Sequence, residues 1–157
     1  MKISVIIPSY RPQEYLWECL DSLYSQTLPK EDFEVMLVLN GEKEPYYSRI
    51  EEYISAHDPE MNIRLVHTEV KGVSHARNIG LDMSNGSYVS FIDDDDMVSS
   101  SFLEDLYAKA DPKTLVLAYP SAFMDDGTEK YGYRTEEEFK RLSSAGRTKC
   151  LFNLYTE

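Results

Sequence analysis

Short apolar runs of strand length alternate with stretches of helical period along most of this chain, and that alternation constrains its fold more than any other feature. Ile3, Val5, Ile6 and Ile7 read as a buried strand ending at Pro8. Leu16, Cys19, Leu20, Leu23 and Tyr24 then recur at helical spacing, with Pro12 suited to the first turn and Leu28-Pro29 closing the helix. A second strand is predicted from Phe33 to Leu39, ended by Asn40-Gly41, and a helix over residues 46–56 through Ile50, Tyr53 and Ile54. Ile63, Leu65 and Val66 form a third strand. Ala76, Ile79, Gly80 and Met83 give a helix weakened by its interior glycine, which costs about 1 kcal/mol. Tyr88, Val89, Phe91 and Ile92 make a fourth strand. Phe102, Leu103, Leu106, Tyr107 and Ala110 follow as a helical stripe, with Ser101 and Glu104 as its capping box. Beyond it, Leu115–Tyr119 reads as a fifth strand, Asp126-Gly127 as a hairpin turn and Thr135 with Glu138 as the start of a last helix.

Alternation of this kind favours an α/β domain with a mainly parallel sheet. Ligands of such sheets bind beyond the carboxyl ends of the strands. The loops that matter are then residues 8–12, 39–45, 70–77 and 93–98. A length of 157 residues fits one domain. The net charge of −12, with no offsetting basic patch, argues against nucleic acid or anionic lipid as a general partner. It also requires that an anionic ligand be met by local cations or a metal. No run reaches the roughly 18 apolar residues of a membrane span, and the first apolar run is too short for a signal peptide, so the expected location is the cytoplasm. Cys19 and Cys150 share no metal-ligand spacing and support neither a disulfide framework nor a zinc site; Cys19 falls on the apolar helical face.

Asp93-Asp94-Asp95-Asp96 follows the fourth strand directly. Adjacent carboxylates repel and raise one another's pKa unless something neutralises them. Mg2+ or Mn2+ suits the purpose, since such ions accept one or two carboxylates together with ligand phosphates. In an extended segment Asp93 and Asp95 share a face. The plainer reading makes the acids a solvated cap on the next helix, each worth about 0.3–1 kcal/mol. An EF-hand fits poorly, because Val98 stands where the loop needs glycine at its sixth position.

Three segments taken in order carry a family resemblance. Ser4-Val5-Ile6-Ile7-Pro8-Ser9-Tyr10 opens the chain and is followed by Tyr15–Thr27; then come Gly72-Val73-Ser74-His75-Ala76-Arg77-Asn78-Ile79-Gly80-Leu81 and Gly86–Asp96. Over roughly residues 2–120 the chain resembles glycosyltransferase family 2, inverting enzymes of the GT-A fold. The resemblance implies a Rossmann-like, three-layer α/β/α domain that binds a nucleoside-diphosphate sugar. It implies that Asp93 and Asp95 are the DxD pair, the first near the ribose and the second on a divalent metal, with Asp94 between them in the donor site. Pro8, Ser9 and Tyr10 correspond to the loop around base and ribose, and Arg77 to an arginine lying against the nucleotide. It further implies a UDP-sugar donor by default and a glycan or lipid-linked acceptor. Peripheral membrane association of a longer enzyme would be compatible with that acceptor.

Three departures qualify the resemblance. Val38-Leu39-Asn40-Gly41 lacks the acidic pair the family usually shows after the second strand, leaving Asn40 as the side chain able to hydrogen-bond a base. Arg11 stands where asparagine often follows the tyrosine. Family members also continue further, into an acceptor-binding region with a carboxylate general base; residues 1–157 are thus expected to be a single donor-binding domain, truncated before that region, with the base unassigned. Asp125 and Asp126 are the nearest later acids, but Asp126-Gly127 reads better as a turn. The alternative function is a non-catalytic nucleotide-binding module or an inactive fragment without the base. A nucleotidyltransferase is disfavoured, because Ser9-Tyr10-Arg11-Pro12 has no glycine to cradle a triphosphate.

Overall fold

The structure, a computed structural model, describes residues 1–57 and 59–113, and the backbone of two later strands at 121–123 and 129–132. The first strand, β1 (Ile3–Ser9), is buried along its whole length, as expected for a run that is apolar on both faces. It lies between β2 (Phe33–Asn40) and β4 (Tyr88–Phe91), with β3 (Ile63–Thr68) beyond β2, in a fully parallel sheet of order β3-β2-β1-β4. Pro8 is inside β1 rather than at its end, paired with Val38. It is tolerated there because Ile6 and Pro8 turn their backbone groups toward the β4 side. The β4 ladder stops at Ile6, whose carbonyl accepts the last bond from the Ile92 N–H at 3.1 Å. The next bond of the ladder would need an amide on residue 8, and proline, lacking it, ends the pairing with β4 there.

The steps from β1 to β2 and from β2 to β3 run one way along the sheet, and the step from β3 to β4 returns across it. With right-handed crossovers the first two connections share one face and the third takes the other. The helices obey this. Helix α1 (Tyr15–Tyr24) and helix α2 (Tyr46–Ala56) pack with Val5, Ile7, Leu37 and Leu39 on one face, joined there by Leu103 of α4 (Phe102–Ala108). Helix α3 (Val73–Asp82) covers the opposite face, where Ile6, Met36, Val89 and Phe91 cluster with Leu81. Among the described residues, sixteen buried ones form the first cluster and four the second. At about 1.5–3 kcal/mol per buried aliphatic side chain, most of the hydrophobic stabilisation lies on the α1/α2/α4 face.

Two local expectations change. Pro12 precedes α1 by a full turn instead of opening it. The predicted capping box of α4 is not formed: Ser101 Oγ donates to Asp105 Oδ2 at 2.8 Å, and the Glu104 carboxylate accepts from Thr27 Oγ1 at 2.6 Å. A side chain distant in sequence takes over, for the Leu103 N–H donates to Gln26 Oε1 at 2.9 Å. Gly80 proves to be a packing requirement, because a Cβ there would collide with Ile6. The pair β5 (Ser121–Phe123) and β6 (Glu129–Gly132) is antiparallel and brackets the predicted Asp126-Gly127 turn; that turn, the Leu115–Tyr119 strand and the helix from Thr135 lie outside the described residues.

Candidate functional site

In the order β3-β2-β1-β4 the chain reverses direction between β1 and β4, and a crevice opens beyond the carboxyl ends of strands at such a point. A cleft of about 450 Å³ lies there. Pro8 and Tyr10 enter it from the end of β1, and Asn40 from the end of β2. Lys71, Gly72 and Val73 come from the β3–α3 loop, and Asp93, Asp94 and Asp95 from the segment after β4. These come from the four loops that the strand pattern singled out.

The acidic segment is not extended. The Asp96 N–H donates to the Asp93 carbonyl at 3.1 Å, which folds the run into a turn, yet Asp93 and Asp95 both still line the cleft. The run is not a helix cap either. Helix α4 begins at Phe102, and the acids of its first turn are Glu104 and Asp105. The carboxylates are held from below instead. The Ser9 hydroxyl, buried at the end of β1, donates to Asp94 Oδ2 at 2.6 Å, and Arg77 Nη2 donates to Asp93 Oδ1 at 2.6 Å. Cys19, buried on α1 as its spacing predicted, points its thiol at the Asp93 carbonyl 3.7 Å away. Burial, followed by the field of the four aspartates, pushes that thiol up to about 12, so it stays protonated as a weak donor.

Charge accumulates in this turn. Burial pushes the Asp94 carboxyl above its ordinary range; the Ser9 bond opposes this, and Asp95 and Asp93 add to it. Asp96 is raised by burial and then by its three neighbours. Among the described residues no three His, Cys, Asp or Glu side chains form a metal cage by themselves. The donor set is hard carboxylate oxygen on an open wall, which fits an ion sharing its coordination with ligand phosphates and water rather than one caged by protein.

Asn40 is 3% exposed, and both ends of its amide are engaged. Its Nδ2 donates to the Ser9 carbonyl at 2.7 Å, and its Oδ1 accepts from the Gly72 N–H at 3.0 Å. It therefore ties the ends of β1 and β2 to the β3–α3 loop. Gly72 has a φ of 138°, which its lack of a side chain makes accessible. Tyr10 is 44% exposed and its ring lies flat against Gly41, where a Cβ would sit 2.8 Å from the ring. Arg11, in the left-handed region at φ 51°, turns outward to pair with Glu42 at 2.6 Å.

Of the residues singled out from sequence, Pro8, Tyr10, Asn40, Asp93, Asp94 and Asp95 line the cleft, while Ser9 and Arg77 stand behind it, bonded to the acidic turn. Lys71, Gly72 and Val73 had been given no role. Gly72 and Val73 open the segment that carries the family resemblance, whereas the signal of Lys71 was position alone, in a loop following a strand. Asp125 and Asp126 lie outside the described residues.

Comparisons with known proteins agree with this fold. The family described as Glycosyl transferase family 2 matches residues 4–156. The uncharacterized glycosyltransferase EpsJ of Bacillus subtilis is 35% identical over 113 residues, covering 72% of this chain and 31% of its own length. The poly(ribitol-phosphate) beta-N-acetylglucosaminyltransferase TarS of Staphylococcus aureus is 33% identical over 113 residues, covering 71% of this chain and 19% of its own. The chain thus spans less than a third of these relatives. A crystal structure of TarS 1–349 with UDP-GlcNAc superposes with a TM-score of 0.61 at 33% identity, over 69% of this chain and 30% of that one. The mannosyltransferase PcManGT of Pyrobaculum calidifontis, in complex with GDP-Man and Mn2+, superposes with a TM-score of 0.66 at 28% identity, over 73% of this chain and 34% of that one. The fold is the Rossmann-like α/β fold of these GT-A enzymes. The chain belongs to glycosyl transferase family 2.

Proposed function

We propose that this chain is the donor-binding domain of an inverting glycosyltransferase that moves a sugar from a nucleoside diphosphate to a glycan or lipid-linked acceptor. The observation that carries the reading is the acidic turn at the switch point, where Asp93, Asp94 and Asp95 face a cleft large enough for a nucleotide. TarS with UDP-GlcNAc and PcManGT with GDP-Man and Mn2+ support a nucleotide-sugar ligand and a divalent ion. A UDP-sugar is the first donor to test.

Asp95 and Asp93 are the ligands proposed for Mg2+ or Mn2+. The ion, when bound, would neutralise the diphosphate and act as Lewis acid for the leaving group. Asp93 is held by Arg77, so its free oxygen is the one available to the ion or ribose. Asp94, held by Ser9, sets the height of the turn above β1. Tyr10 and Pro8 form the wall for base and ribose, and Asn40 keeps that wall joined to the Gly72 loop. Inversion also needs a carboxylate that takes the acceptor proton during attack at the anomeric carbon. No described residue is assigned that task. Among the described residues no helix is long and apolar enough to cross a membrane, which suits a cytoplasmic enzyme that meets a lipid-linked acceptor at the surface.

Isothermal titration of the chain with UDP and GDP, with and without Mn2+, tests the reading. Metal-dependent binding of either is expected, and failure to bind any nucleoside diphosphate would overturn it. A transfer assay on the full-length gene product separates an enzyme from a binding module.

A further inference from the structure

The cleft is short of positive charge. Three carboxylates line it, and the two arginines that border it are already in ion pairs, Arg77 with Asp93 and Arg11 with Glu42, each at 2.6 Å. Lys71 is the one cation among its lining residues, and among the described residues it forms no ion pair. Its ammonium rests 5.7 Å from the centre of the Tyr10 ring, and its stem passes beside Gly41. The loop that presents it is fixed, since the next residue, Gly72, is bonded through its N–H to Asn40. In a chain of net charge −12, this ammonium is the local positive charge that an anionic ligand entering the cleft would meet.

We infer that Lys71 is a donor-positioning residue whose ammonium meets the phosphate of the bound nucleotide from the β3–α3 loop. This role rests on the nucleotide-sugar reading of the cleft. A divalent ion held by Asp95 and Asp93 would offset part of the charge of the diphosphate. A lysine, being a compact point charge on a flexible stem, adds to that without demanding one fixed geometry. The Arg11–Glu42 pair supports the arrangement, because Glu42, a carboxylate that feels the charge of Lys71, is already bonded to Arg11 at 2.6 Å. Lys71 and, more strongly, Arg11 together hold the Glu42 carboxyl below its ordinary range.

The test is titration of wild type, Lys71→Gln and Lys71→Arg with UDP, GDP and uridine in the presence of Mn2+. Lys71 is exposed on a loop, and neither variant removes buried area. K71Q is expected to weaken the diphosphates about tenfold, the loss appropriate to one charge-assisted hydrogen bond. K71R is expected to stay within about threefold of wild type, and uridine to be unaffected by either change. Equal diphosphate affinity in K71Q and wild type overturns the role of Lys71 while leaving the nucleotide reading intact. An equal loss for uridine overturns it too, by placing the lysine on the base. If the wild type itself binds no nucleoside diphosphate, the reading of the cleft fails and this role falls with it.

Discussion

The Ser9 hydroxyl and the Asp94 carboxylate, eighty-five residues apart, are joined by a 2.6 Å hydrogen bond that spans the switch point between β1 and β4. Asp94 is raised by burial and by its neighbours, and this bond opposes that rise by favouring the ionised carboxylate. Ser9→Ala removes the donor and leaves a half-buried acceptor unmet. A loss of about 1–2 kcal/mol is expected. That corresponds to a melting temperature lower by about 4 °C. Because the turn then loses its anchor, nucleotide affinity should fall as well. Thermal unfolding and titration on the same sample check both, and a variant with unchanged affinity would show that the bond serves stability alone.

Asp95 carries a prediction of opposite sign for stability. It is exposed in a turn crowded with like charge, and it raises Asp94 and Asp96. Without metal, Asp95→Asn relieves repulsion and should raise the melting temperature slightly, by about 1–2 °C. With Mn2+ and UDP, the wild type should be stabilised and the variant should not. A functional carboxylate is expected to trade stability for binding in this way. Loss of stability in metal-free D95N would count against the repulsion, and full nucleotide-dependent stabilisation of D95N would count against Asp95 as ligand.

The strand pattern points to this cleft, because loops at the carboxyl ends of parallel strands follow from topology and topology follows from periodicity. Asp93 and Arg77 were legible for a second reason, since their segments carry a family's residue order. What the pattern missed depends on side-chain partners far apart in sequence. From sequence Asn40 reads only as a base contact, and its bonds to Ser9 and Gly72, which join three loops, are not legible there. Ser101 and Glu104 have the spacing of a capping box, yet Gln26 caps Leu103. Gly80 looked like a weakness in α3, but Ile6 leaves room for nothing larger. Propensity sees only neighbours in sequence, and each of these outcomes was decided across the sheet.

Gln26 offers a direct test of that long-range coupling. Its Nε2 donates to the Ser99 carbonyl at 2.7 Å and the Ser22 carbonyl at 2.9 Å, while its Oε1 caps α4. Residues 97–101 lead from the acidic turn into α4, so one side chain clamps the far end of that loop to α1. Gln26→Ala should lose about 1–2 kcal/mol, the usual worth of a helix N-cap with an added bond. Amide hydrogen exchange over residues 97–104 should quicken more than exchange in β1 or β2. Uniform acceleration across the sheet would mean that Gln26 supports the whole domain rather than the loop.

At the opposite end of the sheet, Glu34 is 1% exposed and accepts from Ser4 Oγ at 2.7 Å, the Asn85 N–H at 2.7 Å and Arg64 Nη2 at 3.0 Å. Burial alone would raise its carboxyl, but the bonds from Ser4 and Asn85, with Arg64 behind them, bring it below the ordinary value of 4.5. The folded state therefore binds this proton less readily than the unfolded chain does. The stability Glu34 supplies is complete above about pH 4.5 and drains away as pH falls through the lower folded value. Glu34→Gln keeps the shape but turns an amide N–H toward groups that need an acceptor. At neutral pH it should cost about 2–3 kcal/mol, the partly exposed Arg64 keeping the loss below that of a sealed ion pair. The difference between wild type and E34Q should then narrow as pH is lowered from about 6 to about 3, because only the wild type has that charge to lose. Urea unfolding at several pH values measures it, and a difference that stays constant across the range would mean that the network holds by shape and not by charge.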